Sequence, residues 1–120
     1  MISKRERGAR FEDMACSYLT NKGYRILERN VYIRRKELDI VALDRDTVVF
    51  VEVKGRKSMR YGSPAEAVGG RKQQHMVALA KAYLKRAGLW GRPCRFDVVS
   101  VIGGEEGRAR MDHIVNAFEA

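Results

Sequence analysis

Residues 37–54, Glu-Leu-Asp-Ile-Val-Ala-Leu-Asp-Arg-Asp-Thr-Val-Val-Phe-Val-Glu-Val-Lys, constrain the fold more than any other stretch. Two runs of apolar and β-branched residues flank the polar quartet Asp44-Arg45-Asp46-Thr47, the pattern of two strands joined by a tight turn. With Leu43 closing the turn against Val48, Asp39 is predicted to lie opposite Glu52, and Glu37 opposite Lys54. Opposed residues share a sheet face, with Cβ atoms roughly 5 Å apart. Two carboxylates at that separation repel unless a cation or a proton lies between them. Lys54, two residues past Glu52, points to the same face by strand alternation. Asp39 with Glu52-Val53-Lys54 therefore reads as a compact cation-binding, phosphate-facing cluster. The bland alternative is that Asp39 and Glu37 merely pair with Lys54 and an arginine at a sheet end.

The rest of the hairpin predicts how it is covered. Val41 and Leu43 continue the Asp39 face and meet Phe50 and Val48, while Leu38, Ile40 and Ala42 face Val53, Val51 and Val49 on the other side. Apolar residues on both faces mark central strands buried from two sides.

A chain of 120 residues is the size of one domain with a core of its own. The formal charge of +9 makes a polyanion the expected partner, with nucleic acid first among the candidates. Cys16 and Cys94 form neither a disulfide framework nor a metal-ligand spacing, which suits a reducing compartment. No apolar run reaches membrane-spanning length and no signal peptide is readable, so the expectation is a soluble, cytoplasmic protein without a membrane partner.

Along the chain, Phe11, Met14, Ala15, Tyr18 and Leu19 fall on one stripe of a helix predicted over 3–22, with Gly23 as its stop. Glu12 borders that stripe, and two readings stay open: a solvated glutamate, or one that reaches over the sheet to Asp39. A strand over 24–33 and the basic turn Arg34-Arg35-Lys36 lead into the hairpin, giving an antiparallel meander. Residues 55–62 read as a basic, irregular, glycine-containing loop, in which Arg56, Lys57 and Arg60 are candidate nucleic-acid contacts. Ser63, Pro64 and Glu66 form a capping box before a short element that Gly69-Gly70 interrupts. A helix over 71–87 buries Met76, Leu79, Ala80, Tyr83 and Leu84. Lys72 stands one turn before Met76, aimed at a cleft or at solvent.

A strand over 95–102, reached by a helical crossover, is predicted to lie parallel to its neighbour. An edge strand over 108–114 and a helical turn at 115–118 close the chain. Asp97 reads as a structural partner of Arg95 or Arg71, and His75 and His113 lack the spacing of a zinc site.

The order helix, three strands, helix, strand, with Asp39 and Glu52-Val53-Lys54 on the second and third strands, resembles the PD-(D/E)xK restriction-endonuclease-like superfamily. Nearly the whole chain is similar to the YraN family of small bacterial proteins. The likeness runs through Gly8, Glu12, Gly23-Tyr24, Asn30, Glu37-Leu38-Asp39, Val51-Glu52-Val53-Lys54 and Arg56. It continues through Gly62, Pro64, Ala67-Val68, Lys72, Arg95-Phe96-Asp97-Val98-Val99 and Asn116-Ala117-Phe118. One departure is Lys36, where that family usually has glycine.

The resemblance implies an α/β fold like that of archaeal Holliday-junction resolvases: a mixed sheet, with a three-strand antiparallel meander and a crossover-connected strand, flanked by helices. Together with the Asp39 and Glu52-Val53-Lys54 cluster, this fold supports the expectation of a metal-dependent endonuclease acting on DNA, with branched DNA among the substrates. In that reading Asp39, Glu52 and the Val53 carbonyl hold Mg²⁺ or Mn²⁺, oxygen-preferring ions. Lys54 acts at the scissile phosphate, Glu12 joins the catalytic set at a second metal position, and Lys72 contacts phosphate. Resolvase-like enzymes act as dimers, which leaves a homodimer open. The rival is a non-catalytic nucleic-acid-binding or partner-binding module on the same fold.

DNA affinity is expected to fall steeply with salt by counterion release. Replacing Arg56, Lys57 and Arg60 together by alanine should flatten the slope of log affinity against log salt by about 2–3. An unchanged slope in a titration from 50 to 300 mM salt (about that range) would place the phosphate contacts elsewhere.

Overall fold

The computed structural model describes residues 3–56, 69–103 and 109–119. Helix α1 (Lys4–Asn21) begins at Ser3, whose hydroxyl accepts the Glu6 N–H at 3.1 Å. Glu6 in the first turn complements the positive end of the helix. The helix ends as its sequence predicts: Gly23 takes φ 95°, the Tyr24 N–H returns to the Leu19 carbonyl at 3.0 Å, and the Gly23 N–H to that of Thr20. That pair of bonds satisfies two carbonyls the helix would otherwise leave open.

Strands β1 (Arg25–Ile33), β2 (Lys36–Asp44) and β3 (Thr47–Arg56) form the expected meander. Leu43 faces Val48 and Asp44 faces Thr47, the predicted hairpin register. Lys36 opens β2 without difficulty, paired with Ile33. Helix α2 (Gly70–Arg86) carries the chain to β4 (Cys94–Gly103), parallel to β3, and β5 (Ala109–Phe118) lies antiparallel on its far side. Among the described residues the sheet has five strands in the order β1-β2-β3-β4-β5. A mixed sheet of this order with helices on it is consistent with a restriction-endonuclease-like fold. No described helix is long and apolar enough to cross a membrane.

Each face of the sheet packs on one helix. The α2 face is built on Val41, Val48, Phe50, Phe96 and Val98 with Met76, Leu79, Ala80, Tyr83 and Leu84. The α1 face gathers Ala15, Leu19, Tyr24, Ile40, Ala42, Val49, Val51 and Val99. Each fully buried side chain of this size contributes about 1.5–3 kcal/mol, so β3, apolar on both sides, is driven to the middle.

Four expectations need correction or fall away. The segment at 115–118 is not a helical turn but the end of β5. Phe118 stacks on Phe96 with centroids 4.7 Å apart, which holds the chain on the sheet. The register slips beside it, with Asn116 at φ 55°. Gly55 and Arg56 belong to β3 rather than to a loop. Leu38 joins the α2 core although Ile40 joins the α1 core, so the alternation predicted along β2 breaks between them, at Asp39. Lys57, Arg60 and the capping box of Ser63, Pro64 and Glu66 lie outside the described residues.

The Phe11 ring lies over the backbone of Gly55, where a Cβ would overlap it. This contact docks α1 on β3 one residue before Glu12. Gly55→Ala should therefore cost about 1–3 kcal/mol by overpacking, seen as a lowered Tm. In a Phe11→Leu background the same change should cost clearly less. Equal costs in the two backgrounds would show that the ring is not the obstacle.

Candidate metal centre

The break at Asp39 is where the site forms. Pairing of β2 with β3 stops at Ile40 and Val51, one step short of the predicted Asp39–Glu52 pair. Beyond that point the strands part, and the Asp39 side chain takes the place of the ladder: its Oδ2 accepts the Val53 N–H at 2.9 Å. On β1, Asn30 stands between the pairs Arg29–Ile40 and Val31–Leu38 with φ 53°, a left-handed conformation that asparagine tolerates better than most residues. The two strands turn together there.

Three carboxylates converge on this opening. Glu12 from α1 and Glu37 and Asp39 from β2 each bring an oxygen within 4.8 Å of the other two. Their mutual charge is felt. The Asp39 pKa is pushed up to about 7, by burial first, then by the Glu52 charge and those of Glu12 and Glu37, against the opposing Val53 N–H. Glu12 is also raised, by burial and then by Glu37, with Asn30 hydrogen-bonding it and Arg29 beside it in partial compensation. Arg29 lies 4.0 Å from Glu12 but bonds Asp13 more closely, at 2.7 Å.

Glu52 is buried at 7% exposure, and one of its oxygens is claimed by two lysines. Lys72 hydrogen-bonds Oε1, and Lys54 Nζ approaches the same oxygen to 3.3 Å. The two ammonium groups differ. Burial and then the adjoining Lys72 hold Lys54 below the usual lysine range. For Lys72 burial also opposes the charge, but its bonds to Glu52 and Lys54 outweigh it and the pKa rises. Lys54 is thus the readier of the pair to lose its proton.

The predicted residues are thereby sorted. Asp39 and Glu12 come together, which resolves the choice left open for Glu12 in favour of reaching the cluster. Glu52 is Asp39's strongest charged neighbour yet is engaged by lysines. Val53 contributes its N–H to Asp39, and Arg56 closes β3. Lys72 faces inward onto Glu52. Glu37 was expected opposite Lys54; instead it pairs across β1 with Tyr32 and stands beside Glu12. Its membership of the cluster went unread, although its place two residues before Asp39 was the available signal.

The donor set suits a hard cation: three carboxylates, oxygen only, with no histidine or cysteine among them. A cation there would also relieve the repulsion that raises Asp39. Asp97 lies elsewhere and is structural, as expected. Arg95 donates to both its oxygens, at 3.0 and 3.2 Å, and the Asn116 N–H bonds it at 2.9 Å. His113 Nε2 stands 2.7 Å from it, a partner not foreseen. Lys22 can only donate to His113 Nδ1, so Nε2 carries the proton toward Asp97.

The chain is a mixed α/β sheet with an acidic cluster where its central strands part, and comparison with known proteins gives its family. Residues 11–101 match the model of the uncharacterised protein family UPF0102. The chain belongs to that family, the YraN family. A UPF0102 protein of Symbiobacterium thermophilum is 50% identical over 109 residues, covering 91% of this chain and 92% of the relative. Others are a Syntrophomonas wolfei protein, 47% identical over 114 residues (95% and 98% covered), and a Pseudomonas paraeruginosa protein, 42% identical over 120 residues (98% and 96%).

Asp39 makes a signed prediction for the metal-free protein. A carboxyl raised to about 7 stabilises the fold most below the unfolded-state value near 4, and that contribution is lost as pH rises through 7. Asp39→Asn keeps an acceptor for the Val53 N–H and removes the charge. In EDTA at pH 8 it should match or exceed the wild type in stability, by up to about 1 kcal/mol. The gap should close below about pH 4. Thermal melts across pH decide this; a variant much less stable at pH 8 would make Asp39 a structural anion.

Proposed function

We propose that this protein is a metal-dependent endonuclease that hydrolyses phosphodiester bonds in DNA, with branched DNA among its substrates. The observation that carries the reading is the convergence of Glu12, Glu37 and Asp39 beside a Glu52–Lys54 pair. Asp39, Glu12 and Glu37 would hold Mg²⁺ or Mn²⁺, with Glu52 and the Val53 carbonyl as further oxygen donors. Such an ion, when bound, lowers the pKa of water and polarises a phosphoryl oxygen.

The chain's own groups do the rest. The Val53 N–H fixes the Asp39 carboxylate at the mouth of the parted strands. Lys54, with its lowered pKa, sits where it can hand a hydrogen bond or a proton to a phosphate oxygen as charge develops there. Lys72 holds Glu52 Oε1 by its hydrogen bond and adds positive charge at the same spot. The net charge of +9 draws a polyanion toward the site.

One observation favours the rival, a non-catalytic nucleic-acid-binding module: Glu52 is neutralised by two lysines instead of joining the three-carboxylate group. Cleavage of plasmid and branched DNA in Mg²⁺, Mn²⁺ or EDTA separates the two. Cleavage should need the metal and vanish in Asp39→Ala and Glu52→Ala. Lys54→Met should slow it about 10²-fold with little change in DNA affinity. Millimolar Mn²⁺ should stabilise the wild type, by about 2.7 kcal/mol at a hundred times its dissociation constant, and so raise its Tm but not that of Asp39→Asn. Metal-independent cleavage would overturn the metal-centre reading, and no cleavage in any repurified preparation would leave the binding module.

A further inference from the structure

Beside the carboxylates a cleft of about 570 Å³ opens between the start of β2 and the first half of α2. Its inner end is Glu37 and Glu52 of the site itself, and its walls carry Lys36, Arg71 and Lys72. Its floor is Met76 and Leu79, with His75 between floor and rim. Lys36 donates to His75 Nδ1 at 3.0 Å, tying the hairpin side of the cleft to the helix side. A second recess of about 160 Å³ continues it outward, sharing Lys36, His75 and Leu79 and adding Arg34.

We infer that this groove takes a single strand of DNA, with an unpaired nucleotide seated on the Met76–Leu79 floor next to the site. The inference rests on the nuclease reading for the identity of the polymer. The cleft has the size of a small-molecule pocket, enough for one nucleotide turned out of a stack. Its chemistry is divided as an unpaired nucleotide is divided: cations along the rim for phosphates, apolar and imidazole surface below for a base. A paired duplex presents phosphates but keeps its base faces stacked, and it would leave the floor uncovered.

The turn at the outer end points the same way. Arg34 and Arg35 form the two-residue turn between β1 and β2, both in the left-handed region (φ 52° and 66°). Asn-Gly is the ordinary occupant of such a turn. Arg34 there places charge in the outer recess against local conformational preference, the kind of strain that accompanies function.

The test is run in EDTA, so that binding is read without hydrolysis. A labelled deoxyribonucleotide strand is compared with the same strand closed into a blunt hairpin, by fluorescence anisotropy. The wild type should prefer the open strand by about tenfold or more, and an abasic strand of equal length should bind about tenfold more weakly per lost base contact. Lys36→Glu with Arg71→Glu, both at exposed positions, should abolish the preference. The charge-matched control, Lys81→Glu with Arg92→Glu on exposed surface outside the cleft, should retain it.

Equal affinity for strand and hairpin overturns the groove assignment, as does equal loss in the groove and control variants. Strand preference in a protein that never cleaves upholds the groove and removes only the nuclease. Cleavage of blunt duplex that the groove variants leave undiminished does the reverse.

Discussion

Everything distinctive about this molecule depends on a single substituted hydrogen bond. β2 and β3 pair as an ordinary antiparallel hairpin up to Ile40 and Val51, and there the ladder ends. A buried N–H cannot be left without an acceptor, and the acceptor for Val53 is the side chain of Asp39. The carboxylate therefore sits between two central strands instead of pointing away from them. That position brings it near Glu37 on its own strand, Glu12 on the helix above and Glu52 across the gap.

The arrangement holds more negative charge than a protein interior tolerates unaided. The molecule answers in two ways. Glu52 is neutralised from within by Lys54 and Lys72, one from its own strand and one from α2. Glu12, Glu37 and Asp39 have less help. Arg29 stands at 4.0 Å from Glu12 but spends its closer contact on Asp13, and the Asp39 pKa rises to about 7. A site left with such an imbalance is one that a proton or a cation completes. The Arg95–Asp97–His113 cluster shows the contrast. Burial there opposes the Asp97 charge, yet His113, Arg95 and the Asn116 N–H together hold its pKa below the ordinary value, so it needs nothing from outside.

The same parting of strands explains the cleft's location. Where β2 stops pairing with β3, Leu38 crosses to the α2 core while Lys36 and Glu37 reach the edge of α2. The acidic site and the cation-rimmed groove are thus two consequences of one change in strand direction. The first looks toward α1 through Glu12, the second toward α2 through Lys72 and His75.

What the sequence determined by itself was whatever depends on near neighbours. Strand alternation and a four-residue polar turn set the hairpin register, Ser3 and Gly23 bounded α1, and apolar runs on both faces put β3 in the middle. Asp39, Glu52 and Lys54 were legible because they ride on that hairpin. Glu37 was misassigned because a strict period of two carried it to Lys54, whereas the alternation fails at Asp39 and Asn30. That failure requires a left-handed residue on a strand to which β2 is paired only in the folded sheet. Phe118 was misread for a related reason: the pattern at 115–118 suited a helical turn, and stacking on Phe96, 22 positions earlier in the chain, held it in the sheet. Lys72 on Glu52, and His113 on Asp97, join residues separated by 20 and 16 positions. Only the tertiary structure could decide these. Periodicity and capping act through contacts a few residues apart, while the balance of buried charge is settled only when α1, the parted strands and α2 are packed together.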